Sequence, residues 1–147
     1  MRLENKVVLI TGGAAGIGWE CSKAYAAQGA IVMICDINET LAKKQAEKLT
    51  GDHIGFGCDV SSDEQVKAAV KFVLEKHGKL DVIHNNAGIG SPSKSVDNTT
   101  LDEWDAVFNT NIKSVFLTAR HGIKALKASK GCILNTSSMA GVIGQAN

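Results

Sequence analysis

KVVLITGGAAGIGWE, Lys6 to Glu20, places a strand, a glycine-rich turn and the opening of a helix in immediate succession. Val7 to Ile10 are an apolar, largely β-branched run of the kind that fills a strand buried on both faces, and Thr11 begins the turn. Gly12, Gly13, Gly16 and Gly18 follow. Glycine permits positive φ and lets a backbone approach a ligand closely, while the next helix directs its unpaired N–H groups at the same spot. A phosphate suits that arrangement. The spacing Gly-x-x-x-Gly-x-Gly differs from the commonest dinucleotide fingerprint, Gly-x-Gly-x-x-Gly, so the turn alone also fits a tight strand-to-helix connection without a ligand.

Downstream, the pattern predicts a helix from Ile17 to Gln28 closed by Gly29, then a buried strand from Ala30 to Cys35 that stops at Asp36. Asn38 can cap a helix reaching Leu49, and a third strand covers His53 to Cys58, ending in Asp59-Val60. Ser61-x-x-Glu64 reads as a capping box, with Val66, Ala69, Val70, Val73 and Leu74 at helical spacing behind it. A fourth strand, Leu80 to His84, runs into Asn85-Asn86-Ala87-Gly88, and the polar segment Ile89 to Thr99, with Pro92, reads as a loop. Thr100-x-x-Glu103 opens a long helix whose apolar stripe is Trp104, Val107, Phe108, Val115, Ala119, Ile123 and Leu126. The fifth strand is Cys132 to Asn135, with Thr136-Ser137-Ser138 at its end.

Strand and helix thus alternate along the chain, with connections long enough for parallel crossovers. Right-handed crossovers then favour an α/β doubly wound parallel sheet, a Rossmann fold, with strand order 3-2-1-4-5. Gly12, Asp36, Asp59, Asn86 and Ser138 all fall at or just past the carboxyl ends of strands, the edge where such sheets bind ligands.

Length and composition bound the rest. The 147 residues amount to one domain or the larger part of one, and the formal net charge of +1 is spread in both signs. No basic patch for nucleic acid stands out. No apolar run reaches the roughly 18 to 20 residues needed to span a bilayer, and Met1 to Asn5 are too short and too charged to begin a signal peptide. Cys21, Cys35, Cys58 and Cys132 are widely spaced and make no Cys-x-x-Cys pair, which leaves zinc unsupported and fits reduced thiols in a cytoplasmic protein.

Asp36 lies 18 residues beyond Gly18, where a carboxylate can accept hydrogen bonds from an adenosine ribose and repel a 2'-phosphate. Ile37 follows it and the glycine turn holds no arginine or lysine, so the expected cofactor is NAD rather than NADP. A turn-starting aspartate is the plainer alternative, and Asp59-Val60 likewise reads either as a strand end or as a ligand contact. Asn111 sits four residues after Val107 and four before Val115, on the expected buried stripe, where an unpaired amide costs about 1–3 kcal/mol. It should therefore have a task or a backbone partner.

Thr11-Gly12-x-x-x-Gly16-x-Gly18, Asp59-Val60, Asn85-Asn86-Ala87-Gly88, Asn109-Thr110-Asn111 and Ser137-Ser138 together resemble, in order and spacing, the N-terminal part of the short-chain dehydrogenases/reductases. The resemblance covers Lys6 to the last residue. It implies an NAD-dependent oxidoreductase acting on a small-molecule secondary alcohol or its ketone. It also implies that the turn, with Gly12, Ala15, Gly16, Ile17 and Gly18, holds the pyrophosphate. Asp36 and Ile37 would meet the adenosine ribose side, Asp59 and Val60 the adenine, and Asn86, Ala87 and Gly88 the nicotinamide ribose region. Ser138 corresponds to the serine that bonds the substrate oxygen, and Asn111 to the asparagine that anchors a water in the proton relay. A homo-oligomer, dimer or tetramer, is the family habit.

The family's acid/base pair, a tyrosine followed four residues later by a lysine, is due just after Asn147. Tyr25, in the first helix, cannot stand in for it. Residues 1–147 are therefore expected to be a truncated NAD-binding domain, incomplete at the C-terminal side of its sheet. A non-catalytic nucleotide-binding module and an inert fragment are the alternatives.

Overall fold

A computed structural model describes residues 1–90 and 95–143. Its organising strand is β1, Val7–Thr11, in which every residue is buried. Side chains alternate across the sheet, so a strand covered on both faces must be apolar throughout. Val8 and Ile10 join Val32 and Ile34 on one face, and Val7 and Leu9 join Met33 and Cys35 on the other. Each fully buried aliphatic side chain contributes about 1.5–3 kcal/mol.

The remaining strands are β2 (Ile31–Asp36), β3 (Ile54–Gly57), β4 (Val82–Asn85) and β5 (Cys132–Asn135). All pairings are parallel, in the order β3-β2-β1-β4-β5, as the alternation of elements predicts. Helices α1 (Gly16–Ala27) and α2 (Glu39–Glu47) cover the first face, and α3 (Asp63–His77) and α5 (Ser114–Ser129) the second. Helix α4 (Leu101–Phe108) leads into α5 through a π-helical turn, Asn109–Lys113. Gly29 (φ +87°) and Gly78 (φ +70°) follow α1 and α3 as left-handed stops.

At the amino end of the sheet, Asp81 is 3% exposed and ties β1 to β4. Its Oδ2 accepts from Val7 N at 2.9 Å, while Lys6 Nζ and Lys79 Nζ lie 3.1 and 3.0 Å from its oxygens. β5 is the sheet's edge among the described residues, with Leu134 48% exposed.

Three expectations need correction. The cap of α3 is Ser62, whose Oγ accepts from Gln65 N at 3.4 Å; Ser61 turns back to Asp59 instead. Helix α4 does open on the predicted capping box of Thr100 and Glu103, but the stripe read from it meets the sheet only in part: Leu126 is buried and Val107, Val115 and Ala119 are half-buried. Trp104, Phe108 and Ile123 are 52%, 43% and 39% exposed, whereas the buried residues of α5 are Ser114, Leu117, Thr118, Gly122 and Leu126. The helix lies so close to β4 that a Cβ at Gly122 would collide with Ile83 Cδ1. Close approach selects small side chains, which hydrophobicity alone does not flag. Of the expected loop Ile89 to Thr99, Val96–Asn98 form a 3-10 turn, and Pro92 lies outside the described residues.

Candidate nucleotide-binding site

The glycine turn is shaped by contacts from behind. Gly12 has φ +60°, and a Cβ there would stand 2.9 Å from Ala87 Cα; one at Gly18 would collide with the carbonyl oxygen of Gly12. Both positions therefore require glycine. The single hydroxyl proton of Ser22 is shared between Gly18 O at 2.8 Å and Gly13 O at 3.1 Å, Gln45 Nε2 donates to Ala14 O at 3.0 Å, and Gly13 N to Cys35 O at 3.2 Å. The turn is pinned from α1, α2 and β2.

Ala15, the residue that caps α1, is extended (φ −141°, ψ 167°) and supplies no side-chain acceptor, and the first turn of the helix carries no acid. The leading N–H groups at Gly16, Ile17 and Gly18 thus have no capping side chain, at the positive end of the helix dipole. Ala15, Gly16 and Ile17 are exposed and Gly18 is buried.

Beside the turn, the carboxyl ends of β1 to β4 and the π turn enclose a cleft of about 260 Å³. Its lining includes Gly12, Asp36, Ile37, Asp59, Val60, Ala87 and Gly88, all anticipated from the sequence, and Cys58, Ile89 and Thr110, which were not. No lysine or arginine is among the lining residues, and two carboxylates are.

Asp36 Oδ2 accepts from Ala14 N at 3.2 Å and Oδ1 from Asn38 N at 3.0 Å. A carboxylate has about four acceptor positions, so capacity remains for a ligand hydroxyl. The aspartate is thus both a turn residue and a cleft residue. Asp59 shares this double character: its Oδ1 accepts from Ser61 N (2.9 Å) and Ser61 Oγ (2.7 Å) while the residue lines the cleft. Next to it, burial, with the Asp59 carboxylate adding, pushes the Cys58 thiol up to about 11, so it stays protonated at neutral pH.

Asn86 works from beneath the turn rather than in the cleft. Its Nδ2 donates to Thr11 O and Gly12 O at 3.1 Å each, and Thr11 Oγ1 accepts from Asn86 N and Ala87 N. Asn85 Nδ2 reaches Asn135 Oδ1 at 2.8 Å, joining the ends of β4 and β5.

Asn111 sits in the π turn and is half-exposed, not buried on a stripe as the spacing suggested. The wider turn swings it toward the end of β4, where Oδ1 accepts from Ile89 N and Nδ2 donates to Ile89 O, both at 2.9 Å. Ser138 is exposed beyond β5, outside the cleft lining, and its Oγ accepts from Ala140 N at 3.2 Å as the cap of a 3-10 turn, Met139–Gly141. Of the unanticipated residues, Thr110 lies inside the Asn109-Thr110-Asn111 motif and Cys58 adjoins Asp59, so the motifs marked their neighbourhood. Gln45 carried a fainter signal, a long polar side chain on the buried face of α2 with Ala42 and Ala46. Among the described residues, no cluster of three or more His, Cys, Asp or Glu could hold a metal, and no helix is long and apolar enough to cross a membrane.

The model of the short chain dehydrogenase family matches residues 6–147. The chain is 38% identical over 147 residues to short-chain dehydrogenase reductase 3c of Arabidopsis thaliana, covering 98% of this chain and 57% of that protein. It is 37% identical to secoisolariciresinol dehydrogenase of Forsythia intermedia, with 97% of this chain and 53% of that protein covered. With cyclopentanol dehydrogenase of Comamonas sp. (strain NCIMB 9872) the identity is 39%, over 97% and 58%. The crystal structure of gox2181 superposes with a TM-score of 0.95 at 32% identity, covering 99% of this chain and 58% of that one. The chain therefore spans a little over half the length of the relatives it matches.

Proposed function

The chain belongs to the short-chain dehydrogenase family, and from that membership we propose that it is the NAD-binding region of an oxidoreductase acting on a secondary alcohol or its ketone. The observation that carries the reading is a cleft that holds Gly12 of the pinned glycine turn and a carboxylate with spare acceptor capacity, with the uncapped start of α1 following the same turn outside the cleft lining. The N–H groups of Gly16, Ile17 and Gly18 suit a pyrophosphate. Asp36 suits the vicinal hydroxyls of an adenosine ribose, and its charge, with Asp59 and no lining cation, opposes a 2'-phosphate. Ile37, 78% exposed, and the buried Val60 offer apolar surface for adenine, with Thr110 at the cleft wall.

Bound there, the nicotinamide supplies the hydride acceptor or donor. Ala87 and Gly88 leave space beside it because neither carries a bulky side chain. Ser138 is proposed to hydrogen-bond the substrate oxygen through its hydroxyl hydrogen, which its role as acceptor from Ala140 N leaves free. Asn111, with both amide ends committed to Ile89, holds the loop at Gly88–Gly90 and through it serves the proton relay. The general acid/base is proposed to come from a Tyr-x-x-x-Lys segment of the intact protein, and its contribution is about 10²- to 10⁴-fold. Two relatives are named for alcohols, secoisolariciresinol and cyclopentanol, which supports the substrate class. The four free cysteines fit a cytoplasmic setting.

Calorimetric titration of the intact protein with NAD and NADP, followed by an absorbance assay with cyclic secondary alcohols, tests the reading. Tighter binding of NAD and formation of NADH are expected. Failure to bind NAD, or equal affinity for NADP, would overturn the cofactor assignment; binding without turnover on any alcohol or ketone would favour a nucleotide-binding module.

A further inference from the structure

We propose that His84 is a positioning residue for the dinucleotide site, the middle link of a one-way hydrogen-bond chain from Tyr25 through Thr136 and Asn86 to the glycine turn. The inference rests on reading the cleft as that site.

His84 is on β4 and is 3% exposed. Its Nδ1 lies 2.9 Å from the Tyr25 hydroxyl of α1, the two rings meeting edge to face at 5.8 Å. Its Nε2 lies 2.9 Å from Thr136 Oγ1, and Thr136 Oγ1 lies 3.2 Å from Asn86 Oδ1. Elementary donor and acceptor rules then fix the protons from Asn86 back to His84 Nε2. Asn86 spends its amide nitrogen on the carbonyls of Thr11 and Gly12, so its Oδ1 faces Thr136 and can only accept. The Thr136 hydroxyl must donate to it, and therefore accepts from His84. His84 thus carries a proton on Nε2, and in the neutral ring Nδ1 accepts from Tyr25.

One neutral tautomer satisfies the whole chain, and burial keeps the imidazole on that neutral side by holding its pKa below the ordinary value. The titratable groups near the outer end of the chain, Cys21 of α1 and Cys132 of β5 beside Tyr25, add no carboxylate that would draw a second proton.

The chain ends on working parts. Gly12, whose carbonyl Asn86 holds, lines the cleft, and Thr136 stands two residues before Ser138. A leucine or valine would fill the place of His84 in the core but would leave Thr136 and Asn86 free to turn. His84 acts through them, without touching the ligand itself.

The test uses the intact protein with His84→Leu, Thr136→Val and His84→Gln, reading the Kd for NAD by calorimetry and the unfolding midpoint without ligand. Thr136→Val removes one hydroxyl at nearly constant shape, so it remains informative if His84→Leu folds poorly. Both are expected to weaken NAD binding by about three- to tenfold, because Thr136 is exposed and water takes over part of its hydrogen bonding to Asn86. His84→Gln, whose amide can still donate to Thr136, should recover most of the loss. Wild-type affinity in a folded Thr136→Val protein would overturn the inference and leave the site reading intact. Failure of the wild type to bind NAD would overturn both.

Discussion

Asp36 and Asp81 are carboxylates at opposite ends of the same sheet, and their surroundings give them different work. Asp36 faces the cleft with acceptor capacity to spare. Replacing it with alanine removes a ribose acceptor and the repulsion of a 2'-phosphate together. In the intact protein, Asp36→Ala should lower the preference for NAD over NADP by about tenfold or more, measured as the ratio of the two Kd values. Unchanged discrimination would count against the ribose role. Asp81 is engaged by Val7 N, Lys6 and Lys79. Burial pushes its pKa up, but the bond from Val7 N and the ammonium groups of Lys79 and Lys6 together hold it below the usual carboxylate range. A depressed folded pKa means that this stabilisation is complete above the unfolded value near about 4 and fades as pH falls through the folded one. Asp81→Ala should cost about 1–3 kcal/mol in urea unfolding at pH 7, by stranding Val7 N. The difference from wild type should shrink in acid; a constant difference down to pH 2 would contradict the assignment.

Among the elements, the helix after Thr100 shows how packing distance overrides composition. Its capping box follows from local sequence, because donor and acceptor are three residues apart. Which side meets the sheet depends on the axis-to-strand distance, which no local pattern encodes. Ser114, Thr118 and Gly122 are buried, and at Gly122 even a Cβ would meet Ile83. Gly122→Val should therefore destabilise by about 1–3 kcal/mol through a clash with Ile83, seen as a lower urea midpoint with an unchanged slope. A neutral result would mean that α5 can move away from β4 at no cost. The glycine turn was more legible, since its residues are contiguous, yet Gln45 and Ser22, which pin it, belong to α2 and α1.

At the scale of the whole molecule, the apolar side chains displaced from the sheet form a surface of their own. Trp104 and Phe108 stack with centroids 4.3 Å apart, and Ile112 and Phe116 continue the row at 61% and 60% exposure. Contiguous exposed apolar surface of this kind marks contacts between proteins. We propose that the intact protein is a homo-oligomer joined through it. Phe116→Glu combined with Trp104→Glu should shift sedimentation to a smaller species while leaving the α/β circular dichroism unchanged. An unaltered sedimentation coefficient would exclude this face.

Sequence alone determined the succession of elements, the parallel order β3-β2-β1-β4-β5, the glycine turn and the strand-end residues Asp36, Asp59, Asn86 and Gly88. Each depends on neighbours in the chain: a run buried on both faces must be apolar throughout, and strand ends inherit their edge from the topology. Tertiary structure alone decided which face of α5 is buried, that Asn111 clasps Ile89, that Asp81 locks β1 to β4, and that His84 joins Tyr25 to Thr136. Those contacts join residues from different elements, with Tyr25 and His84 59 positions apart and His84 and Thr136 52 apart. A hydrogen bond between such partners is set by how the layers pack, and that information exists only once the sheet and its helices have assembled.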